Sequence, residues 1–303
     1  MERESWLADP DVAGFVRYLR DVVYGVPGSF VQQYRPRRPD ERHRHFDISC
    51  FGEAVASYWW AGMDLLESAA LVADAGTALR ESVARRDHGG VLARCVEVVA
   101  WCGVHDAAAK CLVRRYDAGA LPLDIELAAA NLLADNDTTS EAFRDNVLLR
   151  SDAAMTKVYS AQNANSIVYD ERVGAALGRL ASEYLTLAGL ERVPDALAFM
   201  VGAERRRNPS SGTRRFSSRR TGAPHALWNQ RTNWLVAELV ADPRRGGCGF
   251  FPIEVHPHRV VEAGLFMIGY DIATIVCVEV PISADGRRVR RDPSPSPGRA
   301  PSY

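Results

Sequence analysis

The sequence predicts a mainly α-helical fold with little strand. Three observations carry this expectation. Apolar residues recur at 3.6-residue spacing through most of the chain. Breaks such as His88-Gly89-Gly90 and Asp135-Asn136-Asp137 interrupt that spacing at helix-length intervals. Only Thr274–Val280 is a β-branched run that reads as a strand.

Taken in order, residues 11–24 form an amphipathic helix with Val12, Phe15, Val16, Leu19, Val22 and Val23 on one face. Residues 25–45, which contain Arg35-Pro36-Arg37-Arg38-Pro39, read as a loop or arm. Helical periodicity then runs through Leu65–Arg86, Val91–Trp101, Asp106–Tyr116, Leu123–Leu133 and Ser140–Leu149. A short helix over Thr156–Gln162 is broken by Asn163-Ala164-Asn165, and Ile167-Val168-Tyr169 is extended. Asp170 has the character of an N-cap for a long helix, Glu171–Ala188, because its carboxylate can accept from the orphan amides of the first turn. Residues 204–222 are polar and basic and read as a long mobile loop. Further helices start near Pro224, continuing through Leu239, and span His258–Tyr270.

At 303 residues the chain allows one domain or two. The expected division is an N-terminal helix and polar arm (1–45), a helical domain (46–281) and a disordered Pro/Ser/Arg tail (282–303). The 47% hydrophobic content suffices for a sizeable core. A net charge of −1 provides no overall field toward nucleic acid or membrane, so any such attraction must be local. The six cysteines (50, 95, 102, 111, 248, 277) contain no CxxC pair and read as thiols of a reducing cytoplasm. No apolar leader and no run of eighteen apolar residues is present, so a cytoplasmic protein without a membrane partner is expected. His43, His45, Cys50, His256 and His258 do not match a known ligand spacing; neither a metal nor a cofactor is expected.

The chain has 37 basic residues, yet only Lys110 and Lys157 are lysine. Arginine cannot form a Schiff base because its guanidinium stays protonated, whereas a neutral lysine amine can. Lys157 stands in Thr156-Lys157-Val158, shortly before Val168-Tyr169-Asp170-Glu171-Arg172-Val173. This pair of segments resembles the centre of the helix-hairpin-helix DNA glycosylases, most of all the 8-oxoguanine glycosylase branch. The order, the helix–extended–capped-helix layout and the Lys-to-Asp direction match. Val96–Val104 and Glu262–Tyr270 look like segments of bacterial proteins assigned that fold, and the resemblance covers about residues 95–270.

The resemblance implies a multi-helix glycosylase fold and a base-excision enzyme with lyase activity acting on duplex DNA that carries a damaged or modified base. Lys157 would be the nucleophile and Asp170 the electrostatic stabiliser of a positively charged sugar. The base must leave the stack to react. Some family features are absent. The hairpin, Leu149-Arg150-Ser151-Asp152-Ala153-Ala154-Met155, has no glycine and gains an acid. Ala161 stands where the eukaryotic enzymes have a cysteine, so specificity for 8-oxoguanine is not implied. No C-terminal four-cysteine cluster is present, which excludes the iron–sulfur branch.

Arg205, Arg206, Arg207, Arg214, Arg215, Arg219 and Arg220 surround Phe216, a pattern suited either to gripping phosphates around a wedging aromatic or to a solvated basic loop. Trp228, Trp234 and Phe266 are candidate walls of a base pocket, although their helical spacing favours core packing. The competing functional class is a non-catalytic DNA-binding or interaction module that keeps the fold without the reaction. The glycine-free hairpin and Asp152 support it.

Overall fold

A computed structural model describes residues 1–25, 30–36, 44–101, 103, 106–145, 149–218 and 221–277. It is mainly α. The helices are α1 (Arg3–Leu7), α2 (Pro10–Tyr24), α3 (Phe51–Ala56), α4 (Leu65–Ala84), α5 (His88–Trp101), α6 (Asp106–Asp117), α7 (Leu121–Asn131), α8 (Met155–Gln162), α9 (Glu171–Leu187), α10 (Ala223–Val240) and α11 (Pro257–Ile268). Three short strands, β1 (Phe30–Tyr34), β2 (Phe46–Ile48) and β3 (Ile275–Cys277), form one antiparallel sheet in the order β2-β1-β3. The expected disordered tail, 282–303, lies outside the described residues.

Two expectations need correction. Residues 25–45 are not simply an arm, since β1 is the central strand of the sheet. The reason is Gln32, a polar residue that is fully buried. Its Nε2 donates to the carbonyls of Ile268 and Asp271 at the end of α11 (2.9 and 3.1 Å), which ties the strand to that helix. Where a helix is expected over Ser140–Leu149, the described part begins with a 3₁₀ turn, Asp137–Phe143, and residues 146–148 lie outside the described residues. Asn136 caps it early, accepting from the Thr138 amide at 2.9 Å, and the buried Asp137 is tied to Arg231 at 2.7 Å. The tight ion pair holds the backbone where a regular helix would carry it away.

The apolar side chains form two clusters. The larger joins α1–α3, the sheet, α9, α10 and α11 around Trp6, Phe15, Phe51, Tyr169 and Phe199. The smaller joins α4–α8 around Leu79, Leu112, Phe143 and Tyr159. Helix α10 stands between them and is buried nearly all round, with Ala226 in the smaller cluster and Trp228 and Trp234 in the larger. Its polar residues are not exposed but occupied. Gln230 donates to the carbonyls of Ala134 and Asn136 (2.7 and 3.0 Å), and Trp234 Nε1 to that of Ala134 (3.1 Å). Helices α4 and α8 meet closely at Gly76, where a side-chain carbon would collide with the Ala161 carbonyl oxygen. Arg80 donates to that same oxygen at 2.9 Å.

Candidate active site

A cavity of about 430 Å³ opens between the two clusters. Side chains of α4, α5 and α8 line one side; α11, the segment entering α9, and Tyr58 and Trp60 line the other. Lys157 and Asp170 are both on its wall. They come from different elements, and the twelve residues between them fold back so that both reach one space. Among the described residues neither makes an ion pair, so the lysine amine is not consumed by the aspartate.

Lys157 sits in the first turn of α8, half-buried, with Nζ 5.8 Å from the centre of the Trp60 ring. Asp170 caps α9 as the sequence predicts: Oδ1 accepts from the amides of Arg172 and Val173 (2.8 and 3.0 Å). One carboxylate oxygen therefore fixes the side chain, while Oδ2 has no donor among the described residues. Beyond it, the Arg172 guanidinium packs against Trp60, Phe266 and Tyr270, at 4.9, 4.2 and 4.4 Å from their ring centres. Phe266 lines the cavity. Trp228 does not; it is buried against Phe199 in the larger core, with ring centres 4.9 Å apart.

The run 167–169, which carries the extended Asp170 at its end, has no strand partner among the described residues. Side chains hold it instead. Asn233 accepts from the Ile167 amide (3.0 Å) and Asn229 donates to the Ile167 carbonyl (3.1 Å). Glu262 accepts from the Val168 amide (2.8 Å), and Thr156 Oγ1 from the Tyr169 amide (3.3 Å). His225 donates from Nε2 to the Tyr169 carbonyl (3.0 Å), and its Nδ1 accepts from the Ser151 hydroxyl (2.8 Å). Burial holds His225 down to about 4, consistent with a neutral ring bonded in this way. These residues were missed in the sequence. The available signal was the spacing of His225, Asn229 and Asn233, three polar groups at successive i, i+4 positions along one helix.

Helix α11 adds a second tie. The Arg259 guanidinium pairs with Glu262 and also reaches Ser160 Oγ at 3.3 Å, one turn beyond Lys157. The Arg259–Glu262 pair thus links the helix bearing the lysine to the segment bearing the aspartate. Burial raises the Glu262 carboxyl above its ordinary range, against the opposing pull of Arg259. Burial also pushes the Tyr58 hydroxyl up to about 12, so it stays protonated beside Ser68.

The hairpin and the basic segment behave differently. Asp152 Oδ1 accepts from the amides of Ala154 and Met155 (3.0 and 2.9 Å), and Arg150 pairs with the same carboxylate at 2.5 Å. The anion position at the start of α8 is therefore filled by the chain itself. The segment 204–218 is not the mobile loop expected from its composition. Its backbone is tied down by Val201–Ser217 and Ser211–Arg214 hydrogen bonds. Arg206 pairs with Glu204 (2.7 Å) and Arg207 with Glu171 (3.1 Å). Arg214 donates to the carbonyls of Leu190 (2.7 Å) and Ser182 (3.2 Å), closing the end of α9. Phe216 is buried, beside Gly178 of α9, and is not placed to wedge into anything. Arg205 and Arg215 are exposed, while Arg219 and Arg220 lie outside the described residues.

Among the described residues no group of three His, Cys, Asp or Glu side chains is arranged to hold a metal, and no helix is long and apolar enough to cross a membrane. No protein-family model matches the chain, and neither a curated protein nor a solved structure is significantly similar to it.

Proposed function

We propose that this chain is a helix-hairpin-helix-type DNA glycosylase with lyase chemistry, using Lys157 as nucleophile and Asp170 as stabiliser. The observation that carries the reading is the shared cavity. The two residues singled out by motif, one of them among only two lysines in the chain, line the same aromatic-walled space without neutralising each other. In the proposed reaction the Lys157 amine forms a bond to the sugar C1′ as the glycosidic C–N bond breaks. The bonding pair leaves with the base, which takes up a proton. Asp170 faces the positive charge that builds on the sugar. Opening of the sugar ring gives an iminium; loss of a C2′ proton then expels the 3′-phosphate and nicks the strand.

A second reading has a specific observation behind it. Asp152 occupies the α8 amides that would otherwise meet a phosphate, and Arg206, Arg207 and Arg214 are engaged within the chain. These features favour a non-catalytic module. Borohydride reduction in the presence of a duplex with an abasic site separates the two. The expected result is a covalent protein–DNA band that disappears in Lys157→Gln. A duplex that is bound but never trapped would point to the module or to a monofunctional glycosylase, and an assay of base release without strand nicking separates those two.

A further inference from the structure

We infer that the substrate base carries a bulky apolar substituent, held by α4 and α5 beside the reacting end of the cavity. The inference rests on the glycosylase reading and deepens it. It starts from an asymmetry in the cavity lining. Lys157, Ser160, Asp170, Arg259 and Glu262 line it from α8, the α9 entry and α11, and Ser68, whose hydroxyl meets that of Tyr58, lines it from α4. The wall supplied by α4 and α5 is largely apolar. On α4, Leu71, Ala75 and Ala78 follow the i, i+4, i+7 spacing of a single stripe, and Val98 and Trp101 face the cavity from α5. Asp74, Arg94 and Glu97 are the charged exceptions on these helices; all three are exposed, and Arg94 and Glu97 pair with each other at 2.7 Å.

Size points the same way. A space of 430 Å³ falls in the range that accepts drug-sized ligands. It equals about fourteen water volumes, and a bare purine leaves much of it unfilled. The space exists because the wall is built from small side chains. Ala75 and Ala78 face it from α4, and Ala161 faces it from α8. Leu71 remains 42% exposed although it lines the cavity, which leaves a large apolar side chain in water until a ligand covers it. Water against such a wall has few hydrogen-bond partners and is readily displaced by an apolar group. A ligand that matches both walls is a planar, hydrogen-bonding base joined to an alkyl or aryl group.

The test uses free bases, so it needs no turnover. Adenine and N6-benzyladenine, and cytosine and N4-benzylcytosine, would be titrated into the full chain by calorimetry. At least one benzylated base should bind about tenfold or more tightly than its parent. Ala78→Leu, which fills the apolar wall, should remove that preference; Leu71→Ala, at an exposed position, should reduce it several-fold. Equal or weaker binding of both benzylated bases would overturn the inference, as would a preference indifferent to both variants. Toluene binding as tightly as the benzylated bases would also overturn it, because the site would then require no base. The two readings fail separately. An abasic duplex contains no base and tests only Lys157, whereas the ligand comparison tests only the wall.

Discussion

The cavity and the basic segment 204–218 invite opposite expectations from composition and are put to opposite uses. The arginine segment has the more conspicuous chemistry, yet its side chains are largely spent inside the molecule. Arg207 meets Glu171, Arg214 closes α9, and Phe216 is core. The cavity has one lysine and one aspartate of interest, and among the described residues neither makes an ion pair, although Asp170 also caps α9. Abundance in a sequence says little about availability. Arg207 and Arg214 find a carboxylate and carbonyls, because leaving buried donors unpaired is costly. A functional group is recognised by what does not satisfy it.

This contrast can be broken at several points. The largest expected effect is on the basic segment: Phe216→Ala should destabilise the fold by about 3–5 kcal/mol, read by denaturant unfolding. DNA affinity per folded molecule should not change; a large loss would return Phe216 to a binding role. Next comes Asp170→Asn. Asparagine caps a helix nearly as well as aspartate, so the melting temperature should hardly move, while base release or trapping should fall about 10²-fold or more. Equal loss of stability and activity would reduce Asp170 to a cap.

A pH effect of similar size is expected from His225. Its folded value, about 4, lies below the ordinary 6.5. Between those values the unfolded chain binds the proton and the folded chain does not. Its contribution to stability is therefore complete above about pH 6.5 and is lost as pH falls toward 4, by up to roughly 3 kcal/mol. His258, also held down to about 4 by burial, acts in the same direction. Urea midpoints measured from pH 7 to 4 should fall accordingly, and His225→Gln should flatten the slope. The smallest effect sharpens the comparison most. Asp152→Ala removes a cap worth about 1 kcal/mol and frees the Ala154 and Met155 amides. Affinity for duplex DNA should then rise several-fold at low salt. Unchanged affinity would mean that the hairpin does not face DNA.

Most helices were legible because their apolar spacing is regular and their caps are local. Asp170 as cap, α9 behind it and the run before it follow from residues adjacent in sequence. The failures have long-range causes. β1 depends on Gln32 finding the end of α11, more than two hundred residues away, and the 3₁₀ turn at Asp137 depends on Arg231. Within the site, Lys157 and Asp170 were visible through their motif. The residues that hold that run were not, because a histidine and two asparagines in a helix look like surface until the partner backbone is known.

Gly76 has a consequence for how such a site changes over time. Only a hydrogen atom separates α4 from the Ala161 carbonyl, so main chain rather than side chains sets the spacing of the two helices there. Substitutions elsewhere on α4 alter what the wall is made of and leave its position alone. A cavity wall built in this way can change its lining by single replacements on α4 while its distance from α8 stays the same.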